Sequence, residues 1–133
     1  MKKFFMFLIL YVCMLLQAAG QNTYSFKHIN AQEGMSNDFI LDMAIDGQSF
    51  VWSATESGLN KWTGNENIVY KENNSPIVSN ELTSLYYDTP TNMLWIGSRA
   101  SGISLFDCHT QQFRNLTTKN GLSANDVSDI MPA

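Results

Sequence analysis

Two stretches, DGQSFVWSATESGL (residues 46–59) and DTPTNMLWIGSRASGI (residues 88–103), run in parallel and decide how the chain folds. Trp52 recurs as Trp95 at an offset of 43, and Gly58 and Trp62 recur as Gly102 and Phe106 at an offset of 44. The second copy is one residue longer between Asp88 and Trp95, and one longer again between Trp95 and Gly102. Both insertions fall among Gly, Asn, Ser, Thr or Pro, where added loop length costs little closure entropy. At twice the distance the match continues. Phe26, Gly34, Ser36 and Asp42 find Phe113, Gly121, Ser123 and Asp129 at one constant offset of 87.

Within each period the pattern is of short strands separated by turn residues. The first unit reads as strands at 40–45, 51–55, 59–62 and 68–70, the second as strands at 82–87, 94–98, 103–106 and 112–116. Asp46-Gly47 and Thr89 to Asn92 supply the first hairpin turn, Gly58 and Gly102 the positive φ of the second, and Gly64-Asn65 the third. Beyond residue 20 no stretch keeps apolar residues at helical spacing for three turns, so helix is expected only in the N-terminal segment. A period of about 40 to 45 residues with four strands is the signature of a propeller blade, whereas a solenoid of that period needs helices. The expected fold is all-β, an incomplete β-propeller. Residues 34–74 form blade 1, 75–120 form blade 2, and 121–133 start blade 3. Residues 21–33 form a lead-in, in which 24–28 act as the closing strand of the ring. Phe26 lies eight residues before Gly34, as Phe113 lies eight before Gly121.

The N-terminus has a different character. Lys2 and Lys3 precede an unbroken apolar run of 13 residues, 4–16, followed by Ala18, Ala19 and Gly20. That order is a secretory signal peptide, residues 1–20, with cleavage before Gln21, a cut after Ala19 also fitting the small-residue rule, and the run is shorter than the roughly 20 residues of a membrane span. Export follows. Removal of 1–20 leaves six basic against twelve acidic side chains, a formal charge of −6, with the bases scattered. Such a surface does not suit nucleic acid. Cys13 leaves with the leader, so Cys108 has no partner for an internal disulfide and is expected to be a buried, inert thiol.

The recurring rings have a structural reading and a functional one. Trp52, Trp95, Trp62, Phe106, Val69 and Phe113 sit at repeated places, which favours packing between twisted sheets over a sugar-stacking platform. Trp52 and Trp95 are accordingly expected to be buried and equivalent. Asp42, Asp46, Asp88, Asp126 and Asp129 recur where turns and strand ends need caps, not where paired carboxylates would do acid–base work. Two isolated histidines, His28 and His109, and one cysteine do not make a metal site. No catalytic machinery and no cofactor are expected. Asn115-Leu116-Thr117 fits the glycosylation sequon, which is silent in a bacterial host.

Leu94-Trp95-Ile96-Gly97-Ser98 with Gly102-Ile103, Val51-Trp52-Ser53-Ala54-Thr55 with Gly58-Leu59, and the opening Gly121-Leu122-Ser123 together resemble the two-component regulator propeller repeat over roughly residues 24–133. That repeat has a Gly-Leu-Ser-Ser-Asn start, a Trp-Ile-Gly-Thr strand and a Gly-Leu turn. The first unit departs from it at Ser53-Ala54, and the second at Val78-Ser79-Asn80, which lacks the leading Gly-Leu-Ser. A WD-repeat propeller would want Trp-Asp, whereas Trp52 precedes Ser53 and Trp95 precedes Ile96. The resemblance implies the start of a periplasmic sensor region that responds to oligosaccharides and signals through a membrane helix to a histidine kinase. Its partners would be the remaining blades, the membrane and kinase parts, and an oligosaccharide. The alternative is part of a free-standing exported propeller that binds or cleaves a small substrate. The chain stops a few residues into a strand, as a truncated gene or fragment would. Two blades with open outer faces are expected to be poorly folded, oligomeric or insoluble in isolation.

Overall fold

A computed structural model describes residues 1–16 and 23–133. The proposed cleavage region, Ala18 to Gln21, lies outside the described residues. The apolar N-terminal segment forms helix α1, Lys2–Leu16, whose Phe4 to Val12 are exposed. No described helix is long and apolar enough to cross a membrane.

The rest is all-β. Strands β1 (Ile40–Ile45), β2 (Val51–Thr55), β3 (Gly58–Trp62) and β4 (Asn67–Tyr70) form one four-stranded sheet in chain order. Strands β5 (Leu82–Asp88), β6 (Met93–Ser98), β7 (Ile103–Asp107) and β8 (Gln112–Leu116) form a second in the same order. Every pairing between neighbours is antiparallel. The repeat holds in register. Trp52 stands between Ala44 and Lys61 as Trp95 stands between Tyr86 and Leu105, and the first pairing of each sheet is irregular at a matched place, after Ile40 and after Leu82.

Turn chemistry explains the strand ends. Gly58 and Gly102 take φ of 130° and 90° in the β2–β3 and β6–β7 turns, where a side chain would meet the carbonyl oxygens of Tyr70 and Leu116. In the first turns, positive φ falls not on Gly47 but on Ser49 and Asn92. The Asp46 carboxylate accepts from the amides of Gln48 and Phe50 and holds that loop.

Side chains alternate across a strand, so each sheet has two faces. In the first sheet one carries Ala44, Trp52, Ala54, Leu59, Lys61 and Tyr70, and the other Met43, Val51, Ser53, Asn60 and Trp62. The Trp52 face packs on the second sheet's Phe106 face. Trp52 lies 5.1 Å and Tyr70 5.7 Å from the Phe106 ring, and Tyr70 lies 5.6 Å from Phe113. Leu82, Leu85, Leu94, Ile96 and Ile77 complete this core. By register Phe106 is the counterpart of Trp62, and Trp52 that of Trp95. Opposite faces of one repeated template therefore meet.

Three expectations change. Residues 24–28 form no strand, and Phe26 is 91% exposed, because no described strand lies where it could extend a hydrogen-bonded ladder. Helical turns are not confined to the N-terminal segment. Short 3-10 turns at Ala31–Glu33 and Thr118–Asn120 are capped by Asn30 and Thr117, whose side chains accept backbone N–H groups. Residues 121–133 lie against the second sheet without forming a strand.

Candidate functional site

Where the β2–β3 and β6–β7 turns meet the segment joining the two sheets, a polar groove of about 620 Å³ opens. Glu56, Ser57, Ala100 and Ser101 line it from the turns, and Lys71, Glu72, Ser79, Asn80 and Glu81 from the connection. Gly58 and Gly102 set these turns tight, which brings the two rims together. Arg99 and Glu56, at matched positions in adjacent sheets, form an ion pair of 2.8 Å across the rim. Both side chains are more than half exposed, so the pair contributes little to stability.

The connection is locked by reciprocal bonds. The Glu72 amide donates to Asn80 Oδ1 at 2.9 Å, and the Asn80 amide donates to Glu72 Oε1 at 3.0 Å. The Ser79 hydroxyl accepts from the Glu81 amide at 3.0 Å. These bonds engage the Glu72 and Ser79 side chains and fix the backbone. Lys71, Glu81 and Ser101 face the groove with side chains that bind no other described group. An ammonium, a carboxylate and a hydroxyl thus stand together on a polar wall whose backbone is fixed.

The sequence-derived positions sort by neighbour. Trp52 and Phe106 are fully buried between the sheets, and Phe113 is half-buried beside them. Trp95 is half-buried on the outer face of the second sheet rather than buried like Trp52, because among the described residues no complete sheet covers it. Trp62 is half-buried on the outer face of the first, with Lys27 Nζ 4.8 Å from its ring. Phe113 pairs with Phe106 as Asn67 pairs with Trp62, so the register matches Val69 with Asn115 and not with Phe113. Gly58 and Gly102 are the turn glycines of the groove, and Phe26 lies apart from all of these.

The acidic residues do not converge. Asp42 accepts from the Met43 amide and, across the inter-sheet gap, from the Leu85 amide at 2.7 Å. Asp46, 5% exposed, accepts Trp52 Nε1–H at 2.8 Å. Asp88 accepts from the Thr91 hydroxyl and Asp129 from the Ile130 amide. Among the described residues no three His, Cys, Asp or Glu side chains are placed to hold a metal ion. Backbone bonds from Thr110 and His109 hold the Asp107 carboxyl below its ordinary range, as a turn cap does.

Cys108 is buried beside the core. Burial, with the nearby Asp46, pushes its thiol up to about 11, and burial likewise raises the Tyr70 phenol. Such a thiol is a poor nucleophile at neutral pH. Asn115 of the sequon donates to the Pro76 carbonyl and accepts from the Ser104 hydroxyl, so its amide is already engaged.

Two central residues escaped sequence reasoning. Tyr70 touches Trp52, Phe106 and Phe113 at once, and Lys61 is buried with its ammonium 4.4 Å from the Phe50 ring and 5.0 Å from Trp52. Tyr70 could have been found by counting alternate positions from Trp52 across the turns. Lys61 carries no such signal, because its repeat counterpart is Leu105.

No protein-family model matches the chain, and no curated protein matches it. Solved structures do. A structure described as the extracellular domain of a hybrid two-component system from B. thetaiotaomicron superposes with a TM-score of 0.67 at 31% identity over 75% of this chain. Two structures of another B. thetaiotaomicron extracellular domain superpose with TM-scores of 0.61 over 74% of the chain, at 23% and 25% identity. One is described as part of a one-component system and the other as part of a hybrid two-component system. The chain spans 15% of the length of each.

Proposed function

We propose that the chain is the N-terminal part of an exported, ligand-sensing β-propeller, its two sheets being consecutive blades of a membrane sensor that signals to a histidine kinase. The single observation that carries this reading is the stacking of the Trp52 face on the Phe106 face. Two copies of one template meet through opposite faces, the arrangement by which blades propagate around a ring. The 31% identity to the extracellular domain of a hybrid two-component system supports the sensory role.

In this reading the chain recognises and does not catalyse. Its partners are further blades and an oligosaccharide, and the groove bounded by Lys71, Glu81 and Ser101 contributes to the sugar-binding end. The leader, residues 1–20, delivers it to the periplasm, with the parent protein held in the inner membrane. The test is transcriptional. Cells carrying an in-frame deletion of 34–120 are grown on single oligosaccharides beside the parent strain, and induction is expected to be lost for one class of glycan. An unchanged response to every glycan tested would overturn the sensor reading.

A further inference from the structure

We propose that the polar groove between the two sheets selects uncharged oligosaccharides, with Lys71, Glu81 and Ser101 as its specificity-determining residues. The inference rests on the sensor reading above and narrows its ligand class.

The chain repeats one kind of connection, and its copies can be compared residue by residue. The copies begin at Asn30, Lys71 and Thr117, whose carbonyls accept from the amides of Glu33, Asn74 and Asn120. They end past Asn37, Ser79 and Ala124. Asn37 accepts from the Phe39 amide as Ser79 accepts from the Glu81 amide, and Ala124 follows Asn37 at the offset of 87.

In the outer copies the first residue serves the fold. Asn30 Oδ1 accepts from the Glu33 amide at 3.1 Å, and Thr117 Oγ1 from the Lys119 amide at 3.3 Å. A lysine side chain has no acceptor to offer, and the middle turn is held by Asn74, whose Oδ1 accepts from the Lys71 amide at 2.7 Å. The Lys71 side chain is placed all the same. It lies across Gly58, where a Cβ would come within 3.0 Å of its Cγ and 3.5 Å of its Cε, and from there it lines the groove.

The end of the connection changes too. Asn37 also donates from Nδ2 to the Ser57 hydroxyl at 3.3 Å. Ser79, in the place of Asn37, is shorter, and no such bond ties it to Ser101, which follows Ser57 at the offset of 44. Ser79 lines the groove at 8% exposure, and its hydroxyl hydrogen has no acceptor among the described residues. Glu81 stands where the other copies have Phe39 and Asp126. Only the middle copy has a cation at its first position and an acid at its last. Groups that serve the turn elsewhere are here replaced by groups left free for a ligand.

The charge balance names the class of that ligand. Three carboxylates, Glu56, Glu72 and Glu81, line the groove with the one ammonium of Lys71. Glu56 is paired with Arg99, and Glu72 accepts from the Asn80 amide. A sulfate or uronate drawn to Lys71 would lie among these acids, and an amino group drawn to the acids would meet Lys71. Like charges brought together discriminate against both. An uncharged sugar meets neither penalty. Its hydroxyls donate to Glu81 and accept from Lys71 in charge-assisted hydrogen bonds, and the Ser79 and Ser101 hydroxyls complete the set.

The parent sensor in the cells described above provides the test. The probes are dilution series of neutral xylan, mannan and galactan oligosaccharides, of oligogalacturonides, of chondroitin sulfate oligosaccharides and of chitosan oligosaccharides. The response that deletion of 34–120 abolishes is expected for a neutral probe. For that probe Lys71→Met and Glu81→Ala are each expected to raise the half-maximal concentration about tenfold, the loss of one charge-assisted hydrogen bond. Glu81→Gln, which keeps an acceptor, should raise it only about threefold. A midpoint that neither Lys71→Met nor Glu81→Ala moves overturns the inference. So does a deletion-sensitive response to oligogalacturonides, chondroitin sulfate or chitosan oligosaccharides, and either result leaves the sensor reading standing. Responses to every probe that survive the deletion remove that reading and this inference with it.

Discussion

The two sheets were built from one template, and they differ most at the residue that most nearly repeats. Trp52 and Trp95 occupy the same strand, register and face, yet Trp52 is fully buried and Trp95 is not. Trp52 has a second sheet over it and a buried carboxylate, Asp46, accepting its indole N–H. Among the described residues Trp95 has the irregular segment at 130–133 beside it and no second sheet, and its sheet's matching acid, Asp88, is turned to Thr91 instead. A repeat thus specifies position within a sheet, while the energy at that position comes from whatever packs on it.

The largest test of that contrast is truncation of the two rings. Trp52→Ala is expected to cost about 3 to 5 kcal/mol, from lost burial and the cavity left between the sheets. Trp95→Ala, removing a half-covered ring, is expected to cost about half as much or less. Urea melts of the two variants measure the difference, and equal losses would mean that both rings are covered alike in solution.

Next in size is the acid beneath each ring. Asp46→Ala leaves the indole N–H and two loop amides without their acceptor, an expected loss of about 2 to 3 kcal/mol. Asp88→Ala should cost under about 1 kcal/mol, since its contact to Thr91 is solvent-exposed. A comparable loss at both positions would show Asp88 supporting Trp95 after all.

The turn glycines should distinguish the sheets less. Both sit at positive φ, so alanine at either is strained, by about 1 to 2 kcal/mol. At Gly102 the added carbon also runs into the Leu116 carbonyl oxygen, while at Gly58 the Tyr70 carbonyl oxygen lies 2.9 Å away. Thermal melts should therefore rank Gly102→Ala below Gly58→Ala.

The smallest expected effect belongs to the thiol between the sheets. Its folded pKa, about 11, lies above the ordinary value of 9.0, so the folded state keeps the proton longer than the unfolded chain. The stability it contributes is present below pH 9.0 and is lost as pH rises through about 11. Cys108→Ala should flatten that part of the alkaline decline in melting temperature. At neutral pH the folded wild type should react with a thiol reagent far more slowly than the urea-unfolded chain.

Much of this architecture is legible in the chain. Strand positions read from turn residues and alternation agree with the observed strands to within a residue at each end, because pairing within a hairpin is local. Gly58 and Gly102 announced themselves by recurrence, and both carry the positive φ that their turns require. The groove between Glu56 and Glu81 was not legible, since its lining residues come from two turns and a connection that touch only once the sheets stack. Phe26 shows the opposite failure. It repeats Phe113 in sequence, but a strand exists only where another strand accepts its hydrogen bonds, and none described does so.

The amino-acid sequence by itself determined the period, the four strands per period and the turns, because these depend on contacts a few residues apart. It also marked the apolar N-terminal segment, whose composition departs from the rest. Only the tertiary structure decided that Trp52 is core and Trp95 is not, that Lys61 is buried against two rings, and that Ser84 lacks a hydrogen-bond partner among the described residues. Burial is a property of what lies opposite a side chain, and in a repeated sheet the residue opposite belongs to another unit.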